Sequence, residues 1–247
     1  MNANRAGAAV AVGRSAEDAL GPLIGRLRAE ADGGEALGVE PGLVGTGEDW
    51  FTAAELIGSP HERLRTLIAR TERRWRAPSH VAAALWWKNV SYWTALPVAT
   101  GWALNRRVPL LTLDTTLLRA SEEADMRVAV SELRVATGND DDLGAAIAAT
   151  LLRDVCAPLI DALHELTRAG RRGLWGSVAE ALVYPLVTAA PGDASQAAAL
   201  LRSVGDPVAG LVELPELRRR TCCLWVTLPE ADACPTCCVI GGARASG

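Results

Sequence analysis

The stretch VAAALWWKNVSYWTALPVATGWALN, Val81 to Asn105, decides the fold. It is the most hydrophobic helical region of the chain and carries Trp86, Trp87, Trp93 and Trp102, so it is predicted to lie in the core. Pro97 should kink or split it, because proline removes a backbone donor and its ring crowds the preceding turn. Upstream, Ser59-Pro60-His61-Glu62 reads as an N-cap with proline at the first helical position and Glu62 closing a capping box. Leu64, Leu67, Ile68 and Trp75 give that helix its buried stripe, and Pro78 and Ser79 end it and begin the next. Further upstream, Ser15 to Ala31 is a helix candidate with Leu20, Leu23, Ile24 and Leu27 on one face, weakened by Gly21 and Pro22. The Gly-rich passage Gly33 to Gly47 reads as a mobile connector.

Downstream, the pattern changes between Val108 and Val135. Leu111 and Leu113, then Val128 and Val130, alternate with polar residues as strands with one wet face do, which predicts a small sheet. Asp140, Asp141 and Asp142 suit the positive end of a helix that runs, with a break at Pro158, to about Thr167. Helices are expected near Ser177 to Val187 and Ala194 to Val204, followed by a loop through Pro207 and Pro215. The expected class is α+β and predominantly α-helical: a helical domain with a small antiparallel sheet and a Cys-rich C-terminal tail. Three regions follow: a variable, partly mobile segment at 1–50, a mainly helical domain at 51–210, and the cysteine-bearing segment at 211–247.

Composition narrows the function. The chain has 247 residues, 49% of them apolar, and a formal charge of -4, so it offers no basic face for phosphate contacts and nucleic acid is an unexpected partner. Charges interrupt the longest apolar candidate, Leu143 to Leu166, and Ala6 to Val12 lacks the basic flank of a signal segment, which points to a cytoplasmic chain without a membrane span. Five of the six cysteines fall between Cys222 and Cys238, the clustering of a metal site more than of a disulfide framework. Cys156, alone in an apolar helix, reads as a small buried hydrophobe.

The tail runs Arg218-Arg219-Arg220-Thr221-Cys222-Cys223-Leu224-Trp225-Val226-Thr227-Leu228-Pro229 and, after Glu230 to Ala233, Cys234-Pro235-Thr236-Cys237-Cys238. Its spacing is Cys-Cys, ten residues, Cys, two residues, Cys. The Cys-x-x-Cys half is a knuckle that aims two thiolates at one metal. Neighbouring side chains of an extended strand point to opposite faces, so Cys222 and Cys223 reach one site only if the backbone bends between them. A structural zinc site usually spaces both ligand pairs by two to four residues. A redox disulfide of Cys234 and Cys237 would lack the usual strand-to-helix setting. A 2Fe-2S cluster accommodates four thiolates. Such a tail must take its order from bound metal and from docking onto the helices.

Arg219-Arg220-Thr221-Cys222-Cys223, Leu228-Pro229 and Cys234-x-x-Cys237 together resemble the C-terminal motif of the FhuF-like ferric siderophore reductases. Pro158-Leu159-Ile160-Asp161-Ala162-Leu163 and Leu174-Trp175-Gly176-Ser177 are similar to the family's helix and Trp-containing turn ahead of the cluster. The resemblance implies that Cys222, Cys223, Cys234 and Cys237 ligate a 2Fe-2S cluster. Cys238 lies outside the family's spacing and is either an alternative to Cys237 or a free thiol.

The resemblance further implies one-electron reduction of a ferric siderophore, of hydroxamate type, releasing Fe(II) in the cytoplasm or at the inner face of the membrane. The alternative is a 2Fe-2S electron carrier or accessory protein acting on another acceptor. No G-x-G-x-x-G fingerprint follows a strand, so a ferredoxin or flavin reductase is the expected donor. Arg218, Arg219 and Arg220 either ease electron uptake by their charge or form a solvated turn. Arg73, Arg74 and Arg76 around Trp75 are either a docking surface or an exposed helix end. Trp86, Trp87, Lys88 and Tyr92 either line a siderophore pocket or belong to the core, with Lys88 snorkelling.

Overall fold

A computed structural model of the chain describes residues 7–121, 125–188 and 193–239. Its centre is a helix, α5 (Ser79–Asn105), flanked by α4 (Glu62–Trp75) and α8 (Arg171–Thr188). The helix α5 is apolar on nearly every side, Trp87 and Trp102 are fully buried, and the Trp87 indole donates to the Leu174 carbonyl of α8 at 3.0 Å. A helix of that composition belongs inside the molecule. The expected split at Pro97 does not occur: α5 runs through it without interruption, and Pro97 is itself buried among its neighbours. Packing from several sides holds the turn that lacks one backbone bond.

Immediately after α5 the chain reverses at Arg106, in the left-handed region, and enters β4 (Arg107–Pro109). The return passes so close to Gly101 that a Cβ there would sit 2.3 Å from the Arg107 carbonyl oxygen.

The sheet expected between 108 and 135 is present, as two sheets, with Val128 and Val130 in a strand as expected but Leu111 and Leu113 in the irregular passage and turn that precede Thr116. The strands β1 (Ala9–Val12), β7 (Arg134–Thr137) and β4 form an antiparallel trio in the order β1-β7-β4. A second sheet has the order β2-β6-β5-β3, from β2 (Val39–Val44), β3 (Phe51–Thr52), β5 (Thr116–Ser121) and β6 (Asp125–Val130). It is mixed, since β2 runs parallel to β6. The passage read as a mobile connector therefore contains β2, whose Val39 and Leu43 are buried. Pro41 and Gly42 obscure the alternation, and the partner strand lies some ninety residues away.

The N-terminal helix is two: α1 (Arg14–Ala19) and α2 (Gly21–Asp32) meet at Leu20, with Pro22 in the first turn of α2, and Leu20, Leu23, Ile24 and Leu27 are buried as expected. Of the apolar stretch Ala6 to Val12, Ala6 lies outside the described residues. The capping box expected at Ser59 is absent there. Gly58 accepts the His61 N–H at 2.7 Å in a turn, and α4 starts at Glu62 after a left-handed His61. The box is instead Thr52 with Glu55, which opens the short helix α3 (Ala53–Ile57). Thr52-Ala-Ala-Glu55 fits the same pattern, and its place beside the β3–β5 pair fixes Thr52 in the extended conformation a cap requires.

From Asp140 to Thr167 the chain is helical throughout. The segment α6 (Asp140–Ile147) passes into π-helical turns over Ala148–Cys156 and then α7 (Ala157–Thr167). Pro158 does not break it, because it stands in the first turn of α7, where its missing N–H costs little. By length and composition this helix could cross a membrane, yet its apolar stripe, including Leu143, Leu151, Leu159 and Leu163, is buried inside the protein. Cys156 is buried there as expected, and burial pushes its thiol pKa up. The helix α8 begins earlier than expected and takes in Leu174-Trp175-Gly176-Ser177, so that stretch is helix and not turn. Finally α9 (Ala194–Val204), capped by Asp193, matches expectation, and α6 packs against it through Gly144, where a Cβ would lie 2.3 Å from the Ser203 carbonyl oxygen. The fold is α+β and predominantly helical.

Candidate metal centre

The tail returns to the body through a two-stranded ribbon, β8 (Val212–Glu213) and β9 (Arg218–Arg219). Alternation along β9 turns Arg219 inward and leaves Arg218 and Arg220 exposed, with Arg220 paired to Glu213 at 3.1 Å. Arg219 is almost completely buried. It donates to the Glu180 carboxylate at 2.8 Å, the Gly173 carbonyl at 3.1 Å, the Ser177 hydroxyl at 3.1 Å and the Thr221 carbonyl at 3.1 Å. Of the three arginines weighed as charges beside the cysteines, one is thus a buried anchor and two are surface groups.

Glu180, on α8, is the hub. Besides Arg219 it receives the Lys88 ammonium at 3.3 Å and the Thr236 hydroxyl, which comes from inside the Cys-x-x-Cys turn. Thr236 is also held through its carbonyl, which accepts the Arg219 N–H at 3.0 Å. Two cations on one buried carboxylate satisfy its lone pairs, as a buried charge requires. Close approach of the tail to α8 depends on Gly176, where a Cβ would stand 1.8 Å from the Thr221 hydroxyl oxygen and 3.0 Å from its Cβ.

On this anchor sit the cysteines. The Cys237 N–H donates to the Cys234 carbonyl at 3.0 Å, closing the knuckle as a tight turn. After Cys223 the backbone turns left-handed at Leu224, one residue past the cysteine pair. The Cys223 and Cys234 sulfurs lie 3.7 Å apart. Two thiolates at about 2.3 Å from one tetrahedral metal stand roughly 3.8 Å apart. Sulfurs also accept backbone N–H bonds from two residues on: Leu224 to Cys222 at 3.3 Å and Val239 to Cys237 at 3.4 Å. Donors aimed at sulfur favour thiolate, the ligating form.

The pair shares its protons unevenly. The Cys223 thiol is lowered to about 5, first by its hydrogen bond with Cys234 and then by the charge of Lys88, the Trp225 N–H and the charge of Arg219. Cys234 is correspondingly raised, chiefly by the same contact with Cys223 and by burial. The Cys238 thiol is raised by burial and by the charges of Cys222 and Cys237, which places it within electrostatic reach of both.

Cys223 and Cys234 are therefore brought together from the two halves of the motif, with Cys222 and Cys237 flanking them on the same two loops. Among the described residues, no three His, Cys, Asp or Glu side chains converge into one metal-sized group. The donor set and one sulfur pair fit a four-thiolate centre; closing it requires Cys222 and Cys237 to swing onto that pair.

Beside the knuckle lies a cavity of about 310 Å3, lined by Lys88, Tyr92, Glu180, Tyr184 and Pro235 among others. Larger clefts of about 480 and 850 Å3 open elsewhere and contain no cysteine. Lys88 and Tyr92 thus face a cavity at the tail, whereas Trp86 and Trp87 are core residues. Glu180, Ser177 and Thr236 escaped the sequence reading. The one available signal was a lone carboxylate inside Val178-Ala179-Glu180-Ala181-Leu182-Val183, since a charge in such a run must find a buried partner.

Fold and site define a helical α+β protein with a docked four-cysteine segment. No protein-family model matches the chain, and no curated protein matches it either.

Proposed function

We propose that the chain is a one-electron reductase that holds a 2Fe-2S cluster on Cys222, Cys223, Cys234 and Cys237 and reduces a ferric siderophore of hydroxamate type in the cytoplasm. The observation carrying this reading is the Cys223–Cys234 sulfur pair at 3.7 Å, drawn from both halves of the motif and seated on the Glu180 anchor. When bound, such a cluster supplies one-electron transfer. The chain's own residues do the rest. Arg219, Thr236 and Glu180 fix the knuckle, backbone N–H groups hold the sulfurs as acceptors, and Lys88 places a cation beside Cys223 and Cys234 that favours added negative charge. The cavity at Pro235 lets an acceptor approach the knuckle. Iron(III) is a hard cation gripped by oxygen donors and Fe(II) is held more loosely, so a single electron suffices to release the metal.

The test is anaerobic purification with iron and acid-labile sulfide counts, followed by electron paramagnetic resonance after reduction and stopped-flow reoxidation by ferric siderophores. The reading requires iron and sulfide in equal amounts and faster reoxidation by ferric hydroxamates than by simple ferric chelates. A colourless zinc protein, even after reconstitution, would sink it; equal rates on all ferric chelates would leave an electron carrier or accessory protein.

A further inference from the structure

The end of α4 is a basic segment of a chain that is acidic overall. Arg70, Arg73, Arg74 and Arg76 stand there against a single acid, Glu72, while the chain as a whole has a formal charge of -4. All four arginines are exposed, and among the described residues Arg70, Arg73 and Arg76 form no ion pair. Compensation of the helix dipole accounts for basic residues in the last turn only, that is for Arg73 and Arg74. Arg70 lies a turn earlier and Arg76 just past the end, so dipole compensation leaves both unexplained.

Within this patch, Trp75 meets the cysteine tail. Its ring stands edge to face on Trp225 at a centroid distance of 5.0 Å, with the Arg74 guanidinium 5.2 Å from its own centroid. Trp225 in turn stands two residues after Cys223, in the 3-10 turn that follows it. Ring contact therefore leads from the arginine patch through two indoles into the cysteine tail, two residues from Cys223, and none of these residues lines the cavity at Lys88, Tyr92 and Tyr184.

We infer that the Arg70–Arg76 end of α4, with Trp75 and Trp225, is the docking surface for a small acidic electron-carrier protein. The inference rests on the one-electron reading of the cysteine site. Charge selects the occupant: a positive patch on a negative chain attracts an acidic surface, orients the encounter and repels a basic one. In the encounter the reduced carrier gives up one electron and returns to its oxidised form, and the centre held by the cysteines gains it. No bond breaks and no proton is required.

The experiment uses the full chain and a plant-type 2Fe-2S ferredoxin as the acidic probe. Binding is measured by calorimetry between 20 and 200 mM NaCl, over which the screening length falls from roughly 20 to 7 Å and affinity is expected to drop about tenfold or more. R73E and R76E should each weaken ferredoxin binding at least about fivefold and flatten its salt dependence, whereas R202E, the same charge change on α9, should leave both unaltered. Reduction by dithionite, which needs no docking, should proceed alike in all variants. Unchanged ferredoxin affinity in R73E and R76E overturns the inference, and so does a salt-sensitive dimer of this chain that R73E dissolves. Failure of dithionite to reduce any variant instead removes the one-electron reading, while the calorimetry still reports on the surface.

Discussion

The guanidinium of Arg219 and the carboxylate of Glu180 meet at 2.8 Å, with their side chains 1% and 7% exposed, and this contact joins the cysteine tail to the central helix pair. Removing one partner of a buried pair strands the other. Glu180→Gln should therefore lower unfolding stability by about 3–5 kcal/mol in urea titrations. The R219M/E180Q double variant should recover part of that loss, since neither charge is then left alone.

The proposed 2Fe-2S reading assigns the thiols different roles. Cys222→Ser, Cys223→Ser, Cys234→Ser and Cys237→Ser are each expected to cut iron and sulfide content to a small fraction of the parent value, and Cys238→Ser to leave it intact. Exchange of the outcomes for Cys237 and Cys238 would reassign the fourth ligand.

Lys88 contributes charge more than packing at this site, being about one-third exposed and in ion contact with Glu180. Lys88→Met should shift the reduction midpoint to more negative values by voltammetry, because a cation lost near the sulfurs disfavours the added electron. An unshifted midpoint would show that Lys88 matters only through Glu180.

Gly176 sets how closely the tail approaches. Gly176→Ala should destabilise by about 1–3 kcal/mol, as overpacking does, and raise protease cleavage between Arg220 and Cys238. Thr221→Ala in the same chain removes the atom at 1.8 Å and should restore part of the stability, leaving the 3.0 Å approach to the Thr221 Cβ and the 3.3 Å approach to the Arg219 Nη2.

Acid should act on α9 through Asp193. Its carboxyl is held at about 2, below the ordinary value, first by the Ser195 side chain and then by the Gln196 N–H. A depressed carboxyl stabilises the fold above its ordinary pKa near 4 and loses that effect as pH falls through about 2. The difference in Tm between the parent and Asp193→Ala should accordingly be full at pH 6 and shrink toward pH 2.

Local patterns in the sequence were enough to place the elements whose cause is local. The helix α9 was legible because an apolar stripe and Gly205 mark it, and the strand through Val128 and Val130 because alternation is a short-range signal, whereas the similar alternation of Leu111 and Leu113 falls in an irregular passage and turn. What depends on distant partners was hidden. The strand β2 exists because β6 completes its hydrogen bonds, Pro97 stays in a helix because α5 is packed from several sides, and Ser59 lost the capping box to Thr52 because a strand pair already fixed that residue. The cysteine spacing could be read directly. Its seat could not, since Lys88, Glu180, Arg219 and Thr236 are spread over almost 150 residues and only folding brings them together.

Glu180 precedes Cys234 by more than fifty residues, so a ribosome working at about 5–20 residues per second exposes the receiving helix pair some 3–10 s before the last of the cysteines emerges. Biogenesis thus has a fixed sequence in time: the α5–α8 seat is translated first and the thiols arrive on a segment that has only to close onto it. On the proposed four-thiolate reading, metal would then be delivered to a chain whose α5–α8 seat has already been made, and a chain that missed it would be expected to lose order first in the tail.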